Sequence, residues 1–307
     1  MATVCPAELI GVDATLDRVA TGFVFTEGPV WVPASGSLLF SDLRGSKRYR
    51  WDPVAGVSVV CEETNKGNGM VLGADGRLVV CEHVTSMVVA MDADGTGRGR
   101  EVLASHYQGM ELNSPNDVTL GPDGMLWFTD PPAGRRNDVS GLRRDPELDF
   151  QAVFRLDPES GPEPMADGFE LCNGLAFAPD GSRLYVTDTY AAKIWMYLVT
   201  ADGRLGAREQ FCDLGPLDME VGWGDGVRCD EHGNVWSTGP HGIWVLDPQG
   251  VRLGLVEVPE PAANLTWGGD DGHTLFVTAS TSLYAVRTEV AGHRPAVRDD
   301  GGVKGVR

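Results

Sequence analysis

No two cysteines in this chain stand in a Cys-X-X-Cys or Cys-X-X-X-Cys pairing; Cys5, Cys61, Cys81, Cys172, Cys212 and Cys229 are scattered singly. That excludes a zinc ribbon and a dithiol redox centre, and the six are expected to be buried free thiols rather than disulfides. Long apolar runs are missing too. No stretch approaches the roughly 18 residues that cross a bilayer, and the opening MATVCPAELIGVD lacks a basic segment followed by a continuous apolar one. A cytoplasmic protein is expected. Positive charge is scarce, with 25 Lys and Arg against 44 Asp and Glu and a net charge of −19. Nucleic acid and anionic membrane are therefore excluded as main partners. Neither a G-X-S-X-G nucleophile elbow nor a G-X-X-X-X-G-K-[ST] phosphate cradle occurs, and the histidines show no H-X-H or H-E-X-X-H spacing.

What the chain does have is glycine and proline, 40 and 19 residues spread along its length, as many short strands joined by tight turns require. One phrase recurs six times: GPVWVPASGSLLFSD (28–42), GMVLGADGRLVVCE (69–82), DVTLGPDGMLWFTD (117–130), GLAFAPDGSRLYVTD (174–188), GVRCDEHGNVWSTG (226–239) and LTWGGDDGHTLFVTA (265–279). Each is an apolar strand, a Gly-containing turn such as Asp75-Gly76 or Asp123-Gly124, and a second β-rich strand. Their spacing of roughly 40 to 60 residues is that of propeller blades. A third strand follows most copies, and no long amphipathic helix intervenes. The chain is therefore read as all-β, a six-bladed β-propeller of four-stranded antiparallel blades over residues 1–290. Alternating apolar residues between Glu8 and Phe25 are expected to supply the last outer strand and close the ring. The Gly- and charge-rich stretch 291–307 is expected to be a disordered tail.

Five copies share a further feature. An oxygen-bearing residue stands four positions before an apolar strand residue: Glu27 before Trp31, Asn68 before Leu72, Asn116 before Leu120, Asn173 before Phe177, and Asp225 before Cys229. Asn before Gly is an ordinary turn dipeptide, but a turn gives no reason for Glu and Asp to share its register. On a ring, where inner strands line one channel, the five converge at its mouth. Two carboxylates and several amides form an all-oxygen set, for which Ca2+ is the first choice; Zn2+, Mg2+ and Mn2+ stay open. Asn264 opens the sixth inner strand one residue too close to Trp267 to share the register.

The phrases Thr26-Glu27-Gly28-Pro29-Val30-Trp31, Asn113-Ser114-Pro115-Asn116-Asp117-Val118, Phe128-Thr129-Asp130-Pro131-Pro132 and Cys172-Asn173-Gly174-Leu175-Ala176-Phe177 together resemble the gluconolactonase, senescence marker protein and luciferin-regenerating enzyme family. The resemblance continues through Gly224-Asp225-Gly226 and Ala263-Asn264-Leu265 and covers about residues 20 to 287. It implies a metal-dependent hydrolase that opens a lactone, with Glu27, Asn173 and Asp225 holding the metal and Asn116 as ligand or substrate contact. Asn113 and Asn68 are expected on the substrate side. Asp225 is expected to act as base or nucleophile. Asn113, Asp117, Asp130 and Asp188 are candidates for orienting the ligand amides, and the loop carrying Arg135, Arg136, Arg143 and Arg144 for reaching over the mouth. Sugar-lactonase members often carry basic residues where this chain has Met110-Glu111, and Tyr where it has Ala133, so the substrate need not be gluconolactone. Relatives with this site also cleave other lactones or phosphorus–fluorine bonds. A non-catalytic propeller stapled by calcium is the competing expectation.

Overall fold

The computed structural model describes residues 5–294. Six four-stranded antiparallel sheets follow one another along the chain. Blade 1 has its inner strand at Thr26–Val32, followed by Ser37–Asp42, Lys47–Asp52 and Gly56–Glu62. The inner strands of blades 2 to 6 are Gly67–Leu72, Val118–Leu120, Cys172–Phe177, Val227–Cys229 and Ala262–Gly268. Blade 6 adds Thr274–Ala279 and Ser282–Arg287, and its fourth strand is Asp17–Thr21, paired antiparallel with Ser282–Arg287. The expected six-bladed propeller and its closure by an N-terminal strand are thus both present. No helix among the described residues is long and apolar enough to cross a membrane.

The recurrent Asp-Gly turn has one physical basis. In blades 2, 3, 4 and 6 the Asp carboxylate accepts the backbone N–H two residues on, from Arg77, Met125, Ser182 and His273, and Asp230 does the same for His232 in the Asp-Glu-His-Gly turn of blade 5. At Asp75-Gly76 and Asp123-Gly124 the glycine takes φ of +79°, which an L side chain adopts only with strain.

The core lies between the blades rather than within them. Blades 1 and 2 close over Val30, Leu39, Met70 and Val80; blades 3 and 4 over Trp127, Val153, Leu175 and Val186. Aromatic pairs cross several seams, including Trp127 against Phe177 and Trp236 against Trp267, with ring centroids 5.2 Å apart in both. All six cysteines are free thiols. Of the expected tail, 291–294 runs beside blade 5, where the His293 N–H donates to Cys229 O. The remainder, 295–307, lies outside the described residues.

Candidate metal centre

Four inner strands carry a β-bulge at their opening, between Glu27 and Val30, Gly67 and Met70, Cys172 and Leu175, and Ala262 and Asn264. One extra residue there re-aims the side chain. The bulge explains the spacing anomaly of Asn264. In blade 1 Glu27 pairs with Ser41, and in blade 6 Asn264 pairs with Thr278, the equivalent second-strand position. The extra residue follows Glu27 but precedes Asn264, so all six blades deliver one oxygen-bearing side chain to the mouth.

Adjacent blades lock these residues together through backbone. The Gly69 N–H donates to Asn116 O at 2.9 Å, Gly174 to Asp225 O at 3.0 Å, and Gly226 to Ala263 O at 2.8 Å. Hydroxyls of one blade hold the carbonyls of the next: Ser41 to Asn68 O, Thr129 to Asn173 O, and Thr187 to Asp225 O. The glycines after Glu27, Asn68, Asn173 and Asp225 are there for space, whereas Asn116 is followed by Asp117. A Cβ on Gly28, which has φ of +45°, would sit 2.0 Å from Asn68 O, and one on Gly174 2.3 Å from Asp225 O. Gly28→Ala is therefore expected to cost about 2–4 kcal/mol in urea unfolding, far more than Gly→Ala at an open turn such as Gly76.

The side chains converge with their polar atoms assigned. Glu27 is 3% exposed; its Oε2 accepts the Gly28 N–H at 2.8 Å and Asn264 Nδ2 at 3.1 Å. Asp225 accepts the Trp223 indole N–H at Oδ2 at 2.9 Å, and its own N–H donates to Thr238 Oγ1. Asn173 Nδ2 donates to Thr189 Oγ1 at 3.0 Å, and that hydroxyl donates on to Gly224 O. With its amide hydrogens turned to Thr189, Asn173 Oδ1 is buried with no partner. Asn116, at 8% exposed, is the most accessible of the set.

Burial pushes the Glu27 carboxyl up to about 7, and burial followed by the Glu27 charge pushes Asp225 well above the carboxylate range. Two buried carboxylates and an amide oxygen without a donor form a set whose burial a cation would relieve. A divalent ion fits this donor set, neutralised by two carboxylates and completed by amide oxygens. Among the described residues no three His, Cys, Asp or Glu side chains cluster where they could hold a metal ion.

Several expectations change. Asn264 donates to Glu27 and accepts the Leu265 N–H at its own Oδ1, so it positions Glu27 and has its oxygen engaged. Asp130 and Asp188 do not touch the ligand amides. Their carboxylates accept the N–H groups of Asn113 and Leu171 at the entrances to blades 3 and 4, as Asp42 does for Phe25 in blade 1. Both amide hydrogens of Asn113 go to the carbonyls of Asp130 and Phe150 and leave its Oδ1 buried without a partner. Asp117, buried, reaches across the channel from blade 3 to Arg228 of blade 5 at 2.9 Å. Arg228 also lines a cavity of about 230 Å3 together with Trp31, Leu72, Leu120, Phe177 and Trp267; none of the mouth oxygens lines it. Arg135 is 3% exposed and, with Arg144, pairs with Glu111 at 2.7 and 3.0 Å. These two pairs fasten the loop to Glu111. Arg136 stacks over Tyr190. Of the partners that hold these side chains, Thr189 and Trp223 carry no motif of their own, though each lies beside a repeated phrase, whereas Asn264 belongs to the Ala263-Asn264-Leu265 phrase.

The SMP-30/Gluconolactonase/LRE-like region model matches residues 25–281, and the chain belongs to that family. It is 32% identical to the gluconolactonase of Zymomonas mobilis, over 92% of this chain and 84% of that one. It is 29% identical to the pentonolactonase XacC of Haloferax volcanii, over 87% and 85%. Its structure superposes on XC5397 of Xanthomonas campestris, described as a gluconolactonase, with a TM-score of 0.85 and 35% identity over 94% of this chain and 95% of that one.

Proposed function

We propose that this protein hydrolyses a lactone, of the sugar-lactone class, at one divalent metal, Ca2+ by its donor set, held by Glu27, Asn173 and Asp225 with Asn116 as ligand or substrate contact. The observation that carries this is the buried, donorless Asn173 Oδ1 beside two carboxylates that burial pushes toward protonation. The gluconolactonase and pentonolactonase relatives support the substrate class.

When bound, a divalent cation supplies Lewis-acid polarisation of the ring carbonyl. The chain's own residues do the rest. Gly28 and Asn264 engage Oε2 of Glu27, so Oε1 would be the oxygen available to hold the ion. The Trp223 indole holds Oδ2 of Asp225, so Oδ1 is the oxygen that takes a proton from the attacking water and returns it to the ring oxygen as the acyl C–O bond breaks. Asn116 holds the substrate from the accessible side. Direct attack by Asp225 on the carbonyl is separated by a single turnover in 18O water, since attack would leave label in the Asp225 carboxylate. The proposal is tested by proton release over aldonolactones, simple γ- and δ-lactones and a fluorophosphate. Turnover of aldonolactones is expected; inertness toward every lactone rejects it, and turnover of the fluorophosphate alone moves the activity to phosphorus–fluorine cleavage.

A further inference from the structure

Asn68 shares the register of the metal-side residues, yet its amide is committed elsewhere. The chain of donors and acceptors is closed. Ser140 O can only accept, so His83 Nδ1, 2.8 Å away, carries the proton. The imidazole is 2% exposed, with burial lowering its pKa to about 4; it is neutral, and Nε2 is an acceptor. Asn68 Nδ2, 3.2 Å from Nε2, is therefore the donor. That fixes the amide orientation and leaves Asn68 Oδ1 buried with nothing donating to it. The residue sits between the metal-side positions of its neighbours, with its carbonyl against Gly28 and the following Gly69 N–H on Asn116 O.

The far end of this relay is the 133–150 loop. The Asn137 carboxamide accepts the N–H groups of Val139 and Ser140 at 3.0 and 2.9 Å, and Gly134 lies so close to the His83 ring that a Cβ there would be 2.8 Å from it. Glu111 fastens the same loop through Arg135 and Arg144.

We propose that Asn68 is a specificity-determining residue, whose fixed Oδ1 accepts a hydrogen bond from a hydroxyl of the lactone ring, and that His83 is the positioning residue through which the 133–150 loop sets that acceptor. This rests on the lactone reading above. A buried acceptor without a donor is desolvated at a cost that a ring hydroxyl relieves and an unsubstituted lactone does not. The test compares glucono-δ-lactone with δ-valerolactone. Asn68→Ala is expected to lower kcat/KM about 10–100-fold for the hydroxylated lactone, mainly through KM, and to leave δ-valerolactone within about 3-fold. His83→Leu is expected to reproduce that loss. His83→Gln keeps a donor for Ser140 O and an acceptor for Asn68 Nδ2, and is expected to restore the wild-type preference. Calcium affinity by calorimetry is expected to be unchanged in Asn68→Ala. Equal losses on both lactones, weakened calcium binding, or a Gln variant as unselective as Leu would overturn the inference while the lactone reading stands. Should His83→Leu not fold, Asn68→Ala and His83→Gln decide the matter alone. Wild-type protein inert toward both lactones overturns the two readings together.

Discussion

Asp225→Asn is expected to lower kcat/KM for the lactone by at least about 10³-fold while leaving the fold intact and the metal-free protein no less stable. Asn fills the same volume, but it removes one of two negative charges and the only carboxylate oxygen placed to take a proton. The stability half follows from burial. In the metal-free protein Asp225 is desolvated and repelled by Glu27, so a neutral amide there relieves a cost. Loss of activity with a Tm equal to or above that of wild type, both measured in chelator, is the expected signature. Full turnover by the variant would remove Asp225 from the mechanism.

Chelation is expected to abolish turnover, to be reversed by calcium, and to expose a pH dependence of stability that the loaded protein lacks. Glu27 has an ordinary pKa of 4.5 that burial raises to about 7 in the folded, metal-free protein. A raised carboxyl pKa stabilises the fold fully below the unfolded value, and that contribution is lost as pH rises through the folded value. Between pH 4.5 and 7 the metal-free protein should lose about 3 kcal/mol on this account, or roughly 6–12 °C in Tm. A bound ion holds the carboxylate charged in place, so the loaded curve stays flat and the calcium-induced rise in Tm widens from pH 5 to pH 8. A stapling ion without catalysis would give the Tm rise with no turnover to lose. A Tm difference independent of pH would show that Glu27 does not titrate against the metal.

The blade phrases were legible because inner strand, Asp-Gly turn and second strand each have a local cause. The shared register of the strand-opening residues was legible because one backbone position repeats around a ring. What escaped was set by contacts between blades. Asn264 was out of register in sequence because its bulge comes one residue earlier, a fact of pairing with Thr278 that linear spacing does not carry. Thr189 and Trp223 acquire their partners, Asn173 and Asp225, only when strand ends meet at the mouth. The strand-ending aspartates looked available to the ligand amides, but the unpaired N–H groups at each inner-strand entrance claim them first. The arginine loop looked exposed by composition, and Glu111, two residues before Asn113, draws Arg135 inward.

The pairing of Asp17–Thr21 with Ser282–Arg287 and the bond from Asn264 to Glu27 also bear on how the protein is made. A nascent chain that has just exposed its first blade holds Glu27 without its neighbour, and the outer strand of blade 6 without a sheet to join. At ribosomal rates of about 5–20 residues per second the interval before its partners emerge is on the order of tens of seconds. Through that interval an unpaired strand edge waits in solution. On the proposed metal reading, capture of the ion would be a late event, coupled to ring closure rather than to synthesis of the blades. A pulse-chase with calcium present should show protease resistance arriving in one step, only after residue 287 has left the ribosome.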